Sequence, residues 1–297
     1  MKKFIISLLC IVAAFAVVLT CTAASAKPET FTIIIEHIES FVDEMTTQIF
    51  GDYDKKDELY IDKETESITE PKDENAQGIC SKIVYGYSEM GQPLEAFIIN
   101  GSGANNKVFF MDFAIHGFED EYANDGKVLV DLGYSLIEYY SKHPESLGDY
   151  QMVIVPCANP DGVMYGVNDY RAGDENAFGR CTYSGIDINR DFKAGLFKAV
   201  ESRALKNLMD EYKPSIYINF HGWENSVLGD PELIRILVPS LALSRGNPDW
   251  YRVEDGFIMG YVKDHYGARS ALVEFENSSS VNAFQVIYAI DRVISEV

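Results

Sequence analysis

His116-Gly-Phe-Glu119 places an imidazole and a carboxylate three residues apart. Downstream come Asn159-Pro-Asp-Gly162, Gly185-Ile-Asp-Ile-Asn-Arg190 and Ile218-Asn-Phe-His221-Gly, which add an arginine-bearing segment and a second, distant imidazole. A catalytic zinc site takes three protein ligands, commonly two His and one Glu, and keeps a fourth position open for water. Water held in that way becomes a usable nucleophile near neutral pH. The chain has five histidines, so two of them in such settings narrow the field. A lone histidine at a strand end is usually structural, but Glu119 beside His116 and the apolar run that leads into His221 set these two apart. The residues predict a hydrolase in which His116, Glu119 and His221 hold one zinc ion per chain. His37, His143 and His265 lack any such context. Neither H-E-x-x-H nor the G-x-S-x-G nucleophile elbow occurs in the chain.

Those residues need a scaffold that gathers distant segments at one edge. From Lys82 onward, short apolar runs alternate with helical spacing. Residues 94–100, 107–115, 151–156, 215–220 and 270–275 read as strands. Residues 122–140, 194–212 and 281–296 read as helices, the first ending near Pro144 and the second stopped by Pro214. The alternation predicts a single α/β domain with a mostly parallel mixed sheet flanked by helices on both faces. In open sheets of this kind, sites form at the carboxyl ends of strands. His116, Glu119, Asn159 and His221 all fall at or just beyond such ends. The chain has no internal repeat and no low-complexity tract.

The rest of the chain sets outer bounds. Residues 1–26 read as a signal peptide: Lys2 and Lys3 precede an apolar run over 4–20, and Ala24-Ser25-Ala26 supplies the small-x-small cleavage pattern. Export with cleavage after Ala26 is expected, with a retained membrane anchor or a lipoprotein built on Cys21 as the alternatives. Removing Lys2 and Lys3 from the 25 basic residues leaves 23 against 46 acidic ones, a net charge of about −23. Such a surface argues against nucleic acid as a partner, and against a membrane beyond an N-terminal anchor. Cys10 and Cys21 lie in the leader, so Cys80, Cys157 and Cys181 allow one disulfide at most. Residues 27–76 are acidic, with amphipathic helical spacing over 31–49 and a charged run over 52–74 that reads as a spacer. Residues 77–297 are left as the catalytic domain. Oligomeric state does not follow from any of this.

From about Gly86 to the C terminus the sequence resembles the zinc metallocarboxypeptidase family, the carboxypeptidase A-like peptidases. The resemblance begins with Gly86-Tyr-Ser-Glu-Met-Gly-Gln-Pro-Leu-Glu-Ala, where Gln92 replaces the family's usual arginine. The His116, Asn159 and Gly185 segments follow, then Glu201-Ser-Arg-Ala-Leu205, the His221 segment and Ala271-Leu-Val-Glu-Phe275, all in the family's order. The resemblance implies Glu274 as general base and then acid. A carboxylate on an otherwise apolar strand also needs a partner on general grounds. Asn189 and Arg190 match the pair that binds a substrate's free carboxylate, a task suited to the planar guanidinium fork. Arg180 matches the arginine that stabilises an oxyanion, with Arg171 as the competing assignment, and Tyr251 stands where a substrate-closing tyrosine would. Phe118 occupies the position of an arginine in the digestive branch. That departure and the short core resemble bacterial members that process cell-wall peptides.

The expected activity is therefore zinc-dependent hydrolysis of a peptide with a free C-terminal carboxylate. Three other readings use the same ligands: a γ-D-glutamyl-diaminopimelate peptidase, an N-acyl amino acid deacylase, and a non-catalytic zinc- and peptide-binding module. The presence of Glu274 argues against the last. Export and Asn159-Pro-Asp-Gly162 argue for a peptidase over a deacylase.

Overall fold

A computed structural model describes residues 80–119, 125–167, 177–193, 197–248 and 256–297. The leader, the acidic segment with its expected helix over 31–49, His37, Arg171 and Tyr251 lie outside the described residues.

The apolar runs form eight strands: β1 (Cys80–Tyr87), β2 (Pro93–Asn100), β3 (Lys107–Phe113), β4 (Tyr150–Val155), β5 (Ile216–Gly222), β6 (Ser226–Gly229), β7 (Arg245–Asn247) and β8 (Arg269–Phe275). They join one sheet in the order β1-β2-β4-β3-β5-β8-β6-β7. Strands β4, β3, β5 and β8 run parallel at its centre. The antiparallel hairpin β1-β2 extends one side, and β6, antiparallel to β8, carries β7 on the other. The expected α/β architecture with a mixed sheet is present. Strands β1, β6 and β7 escaped the sequence reading: β1 is an outer strand without a buried face, and β6 and β7 are only four and three residues long.

Among the described residues, six α-helices accompany the sheet: α1 (Asp125–Lys142), α2 (Pro160–Tyr165), α3 (Val200–Tyr212), α4 (Pro231–Ser240), α5 (Ile258–Tyr266) and α6 (Ala283–Glu296). Their ends follow local chemistry. Asp230 accepts from the backbone N–H groups of Glu232 and Leu233 to start α4, with Pro231 in the first turn. Lys213 and Gly267 adopt left-handed conformations that close α3 and α5. Helix α3 starts at Val200, later than the expected residue 194. Among the described residues, no helix is long and apolar enough to cross a membrane.

Strand side chains alternate between the two faces, and here the alternation separates core from site. Phe109, Met111, Phe113, Ile216, Ile218 and Phe220 pack with α1, α4 and α6 in one core. Phe110, Tyr217 and Leu272 point the other way and pack with α3 and α5. By the same parity Asp112, Asn219 and His221 lie on the α3/α5 face. Residues in register across β3 and β5 include Asp112 with Asn219, and across β5 and β8 His221 with Glu274.

Candidate active site

His116 and Glu119 follow the end of β3, and His221 is the penultimate residue of β5. One donor atom from each of the three lies within 4.8 Å of the others. Both imidazoles present Nδ1 to the same oxygen, Glu119 Oε1: His221 at 2.8 Å, and His116 in a short contact. The other Glu119 oxygen accepts from the Gly222 N–H at 2.8 Å. Burial raises the Glu119 carboxyl, but the charges of His221 and His116 outweigh it and hold the group well below the usual carboxylate range.

The far side of each ring is also held. His116 Nε2 lies 2.9 Å from Asp187 Oδ1, and His221 Nε2 contacts the Asn219 side-chain oxygen. Every ring nitrogen thus faces an acceptor, while a neutral imidazole has a single N–H to give. Two additional protons would settle this, or one divalent cation between the Nδ1 atoms and Glu119. Two imidazole nitrogens and a carboxylate oxygen are the donor set that zinc takes in hydrolytic sites, so the residues fit the metal.

The loop over 177–193 delivers the cationic half. Arg180 donates to Asp187 Oδ2 at 3.2 Å and passes 3.9 Å from Glu119 Oε1. Burial raises the Asp187 carboxyl, yet the neighbouring His116, Arg180 and Arg190 depress it well below its usual range. Asn189 is buried, and its side-chain oxygen accepts from the Ile258 N–H at 3.2 Å. Only its NH2 group can therefore be offered to a substrate carboxylate. Arg190 is exposed, with its guanidinium 3.9 Å from the centre of the Phe257 ring, a geometry that fixes a flat fork in place.

Several segments brace that loop. Asn159 caps α2 by accepting from the Gly162 N–H and donates from Nδ2 to the Cys181 carbonyl at 3.1 Å. Glu89, in the turn after β1, accepts from the Ser184 N–H and hydroxyl. Asp161 accepts from the Ser88 hydroxyl at 2.6 Å and the Met90 N–H at 2.9 Å. Gly117 and Gly162 approach so closely that a Cβ on Gly117 would lie 2.4 Å from the Gly162 backbone, and one on Gly162 would lie 2.6 Å from Gly179. The His116 and Asn159 segments need glycine there for that reason.

Glu274 lies on β8 beside His221. One of its carboxylate oxygens is buried without a hydrogen-bond partner. Burial, then the nearby charge of Glu119, raises its proton affinity well above that of an ordinary carboxylate, against the opposing pull of His116 and Arg180. A cavity of about 840 Å³ joins His116, Glu119, His221, Glu274, Arg180, Asn189 and Arg190. Its lining also includes Glu224, Leu228, Arg245, Asn247 and Glu276.

The site residues named from sequence within the described regions thus share one cavity. Sequence reasoning missed Asp187, Asn219 and the Arg245 wall. Asn219 could have been found, since it sits two residues before His221 on the same strand face. His143 and His265 are exposed and stand apart from the site. Cys80 and Cys157 are free thiols, and Cys157 follows the end of β4.

Among known proteins, the chain is 33% identical over 232 residues to the bacteriocin BCN5 of Clostridium perfringens, covering 71% of this chain. It spans about a quarter (24%) of the length of that curated relative. The carboxypeptidase A of Helicoverpa armigera shares the fold at a TM-score of 0.56 and 16% identity, over 73% of this chain and 68% of that one. The murein-tripeptide amidase of Escherichia coli O157 does so at 0.51 and 19%, over 77% and 97%. Residues 66–232 match the family model described as zinc carboxypeptidase, more than half of the chain. The ligand triad and the sequence therefore agree: this chain belongs to the zinc carboxypeptidase family.

Proposed function

We propose that this chain is an exported carboxypeptidase that binds one zinc ion and removes the C-terminal residue of a peptide. The observation that carries the reading is the unpartnered, buried oxygen of Glu274 in the same cavity as the His116-Glu119-His221 donors and Arg190. Zinc, when bound, supplies Lewis acidity to a carbonyl and makes water nucleophilic near neutral pH. Glu274 takes a proton from the attacking water on its carboxylate and returns it to the leaving amine. Arg180 faces the developing oxyanion with a charge already fixed by Asp187. Arg190 and the Asn189 NH2 group bind the terminal carboxylate, so that only the last peptide bond reaches Glu274.

A second reading narrows the substrate. The cavity lining also carries charges of both signs, with Arg245 paired to Glu224 at 3.1 Å and Glu276 in the same lining. A terminal residue whose side chain bears both an ammonium and a carboxylate, as diaminopimelate does, complements such a wall. The likeness to a bacteriocin and a murein-tripeptide amidase supports that direction.

The test is mass spectrometry of free-acid peptides, their C-terminal amides and a muropeptide stem, each with and without a zinc chelator. Chelator-sensitive loss of one residue from the free acids, with the amides untouched, is expected. Cleavage confined to the stem selects the second reading. Cleavage of the amides at the same rate would overturn the role of Arg190.

A further inference from the structure

The two imidazoles that face Glu119 are backed in different ways. His116 meets a carboxylate directly, in Asp187. His221 meets a neutral amide, Asn219, and the carboxylate lies one step further in. Asn219 donates from Nδ2 to Asp112 Oδ1, and Tyr217 donates its hydroxyl to Asp112 Oδ2 at 2.6 Å. Tyr217, Asn219 and His221 alternate along β5 on one face, and Asp112 lies opposite Asn219 in the β3 register. All four are buried. Asp112 is thus an acid on an apolar strand, in contact with neither substrate space nor a cation.

An amide can present either end to a neighbour, and the two ends have opposite consequences for a histidine. If Asn219 offered its NH2 group, His221 Nε2 would have to accept and Nδ1 would carry the hydrogen, which blocks it as a ligand. Asp112 removes that freedom. A carboxylate only accepts, so the Asn219 NH2 group must point at it, and the Asn219 oxygen must then point at His221. Nε2 becomes the donor and Nδ1 turns its lone pair toward Glu119. The Tyr217 hydroxyl occupies the second carboxylate oxygen and fixes the plane of the carboxyl group.

We propose that Asp112, oriented by Tyr217 and acting through the Asn219 amide, is a positioning residue that sets His221 as an Nδ1 metal donor before the metal arrives. The proposal rests on the zinc reading of the site. It assigns a purpose to a buried carboxylate whose desolvation would otherwise be unrewarded, since an apolar residue could fill the same space. Partners behind a ligating histidine commonly change metal affinity by about 10- to 100-fold when removed.

The experiment uses the full chain and zinc alone. Zinc affinity is measured by chelator competition, and the His221 tautomer by long-range 1H–15N correlation of the metal-free protein at alkaline pH. The parent should bind zinc and show Nε2–H at His221. Asp112→Asn lets the Asn219 amide turn over. It should weaken zinc about 10- to 100-fold and move His221 toward Nδ1–H. The double variant Asp112→Asn with Asn219→Asp returns a carboxylate to the line: Asp at 219 can accept only, and Asn at 112 can donate to it while accepting from Tyr217. It should recover most of the affinity and the Nε2–H signal, a rescue that a purely structural role would not produce. Parent-like zinc affinity and tautomer in Asp112→Asn would overturn the proposal, as would a double variant no better than the single one. Should Asp112→Asn fail to fold, Tyr217→Phe reads the same line through one lost hydrogen bond. It should weaken zinc roughly two- to fivefold, and no change would count against the relay. Failure of the parent itself to bind zinc would overturn the zinc reading instead.

Discussion

The site is made of two halves that differ in how they are supported. His221 and Glu274 lie on neighbouring central strands, in register, with Asn219 and Asp112 behind them in the sheet. Arg180, Asp187, Asn189 and Arg190 lie on a loop held by side-chain hydrogen bonds to Asn159, Glu89 and backbone groups. The strand half is buried and inherits its geometry from the ladder. The loop half is partly open and owes its geometry to a few contacts. Changes in the strand half should therefore disturb chemistry or folding, and those in the loop half should disturb binding with the fold left intact.

The sharpest test of that division is Glu274→Gln. Loss of an acid–base group should lower kcat by about 10²- to 10⁴-fold, with zinc content, measured by atomic emission, unchanged. Loss of zinc in the same variant would show that Glu274 serves the metal rather than the proton.

Next comes the acid stability of the metal-free chain. Burial, opposed by hydrogen bonds from Tyr217 and Asn219, pushes the Asp112 carboxyl up to about 6 from an ordinary 3.8. Between those values the folded chain keeps a proton that the unfolded chain has released. This group's contribution to stability is therefore fully present below about pH 4 and is lost as pH rises through about 6, a change of about 3 kcal/mol. Denaturant melts across that window should show the fall, and Asp112→Asn should flatten it.

Arg190→Ala carries the comparison into the loop half. KM for free-acid peptides should rise by roughly 30-fold, about 2 kcal/mol for a charge-assisted pair, with zinc content and the melting temperature unchanged. Asp187→Asn should have the smallest functional effect, a loss of zinc affinity of about tenfold, with the metal-free melting temperature lowered modestly because the charge that His116 and Arg180 stabilise is gone. A large drop in that temperature would mean that the loop, too, is part of the folding unit.

The strand half was the more legible in sequence. Residues 216–220 announce a strand that must deliver His221 to the sheet edge, and Glu274 is a lone acid between Val273 and Phe275. The order of these strands, and so the meeting of His116 with His221, could be expected from the α/β alternation. Asp187 could not, because it partners His116 across 71 residues through a loop without periodicity. The part of the cavity lining that holds Arg245 was illegible for a different reason. Strand β7 is three residues long and largely exposed, so it leaves no hydrophobic signature. Helices α4 and α5 lie in the stretch whose pattern was hardest to read, and Tyr251 falls outside the described residues.

That same three-residue strand separates what this architecture can change from what it must keep. Strand β7 is the last strand in the order of the described sheet and pairs in the ladder with β6, while the metal donors hang from β3 and β5 at its centre. An edge strand can be lengthened, shortened or recharged without unstitching a ladder on its other side. If the proposed activity holds, variation at Arg245 and Asn247, which line the cavity, should retune which terminal residue is accepted while the metal donors stay in place. On that proposal, selectivity would belong to the margin of the sheet and reactivity to its interior.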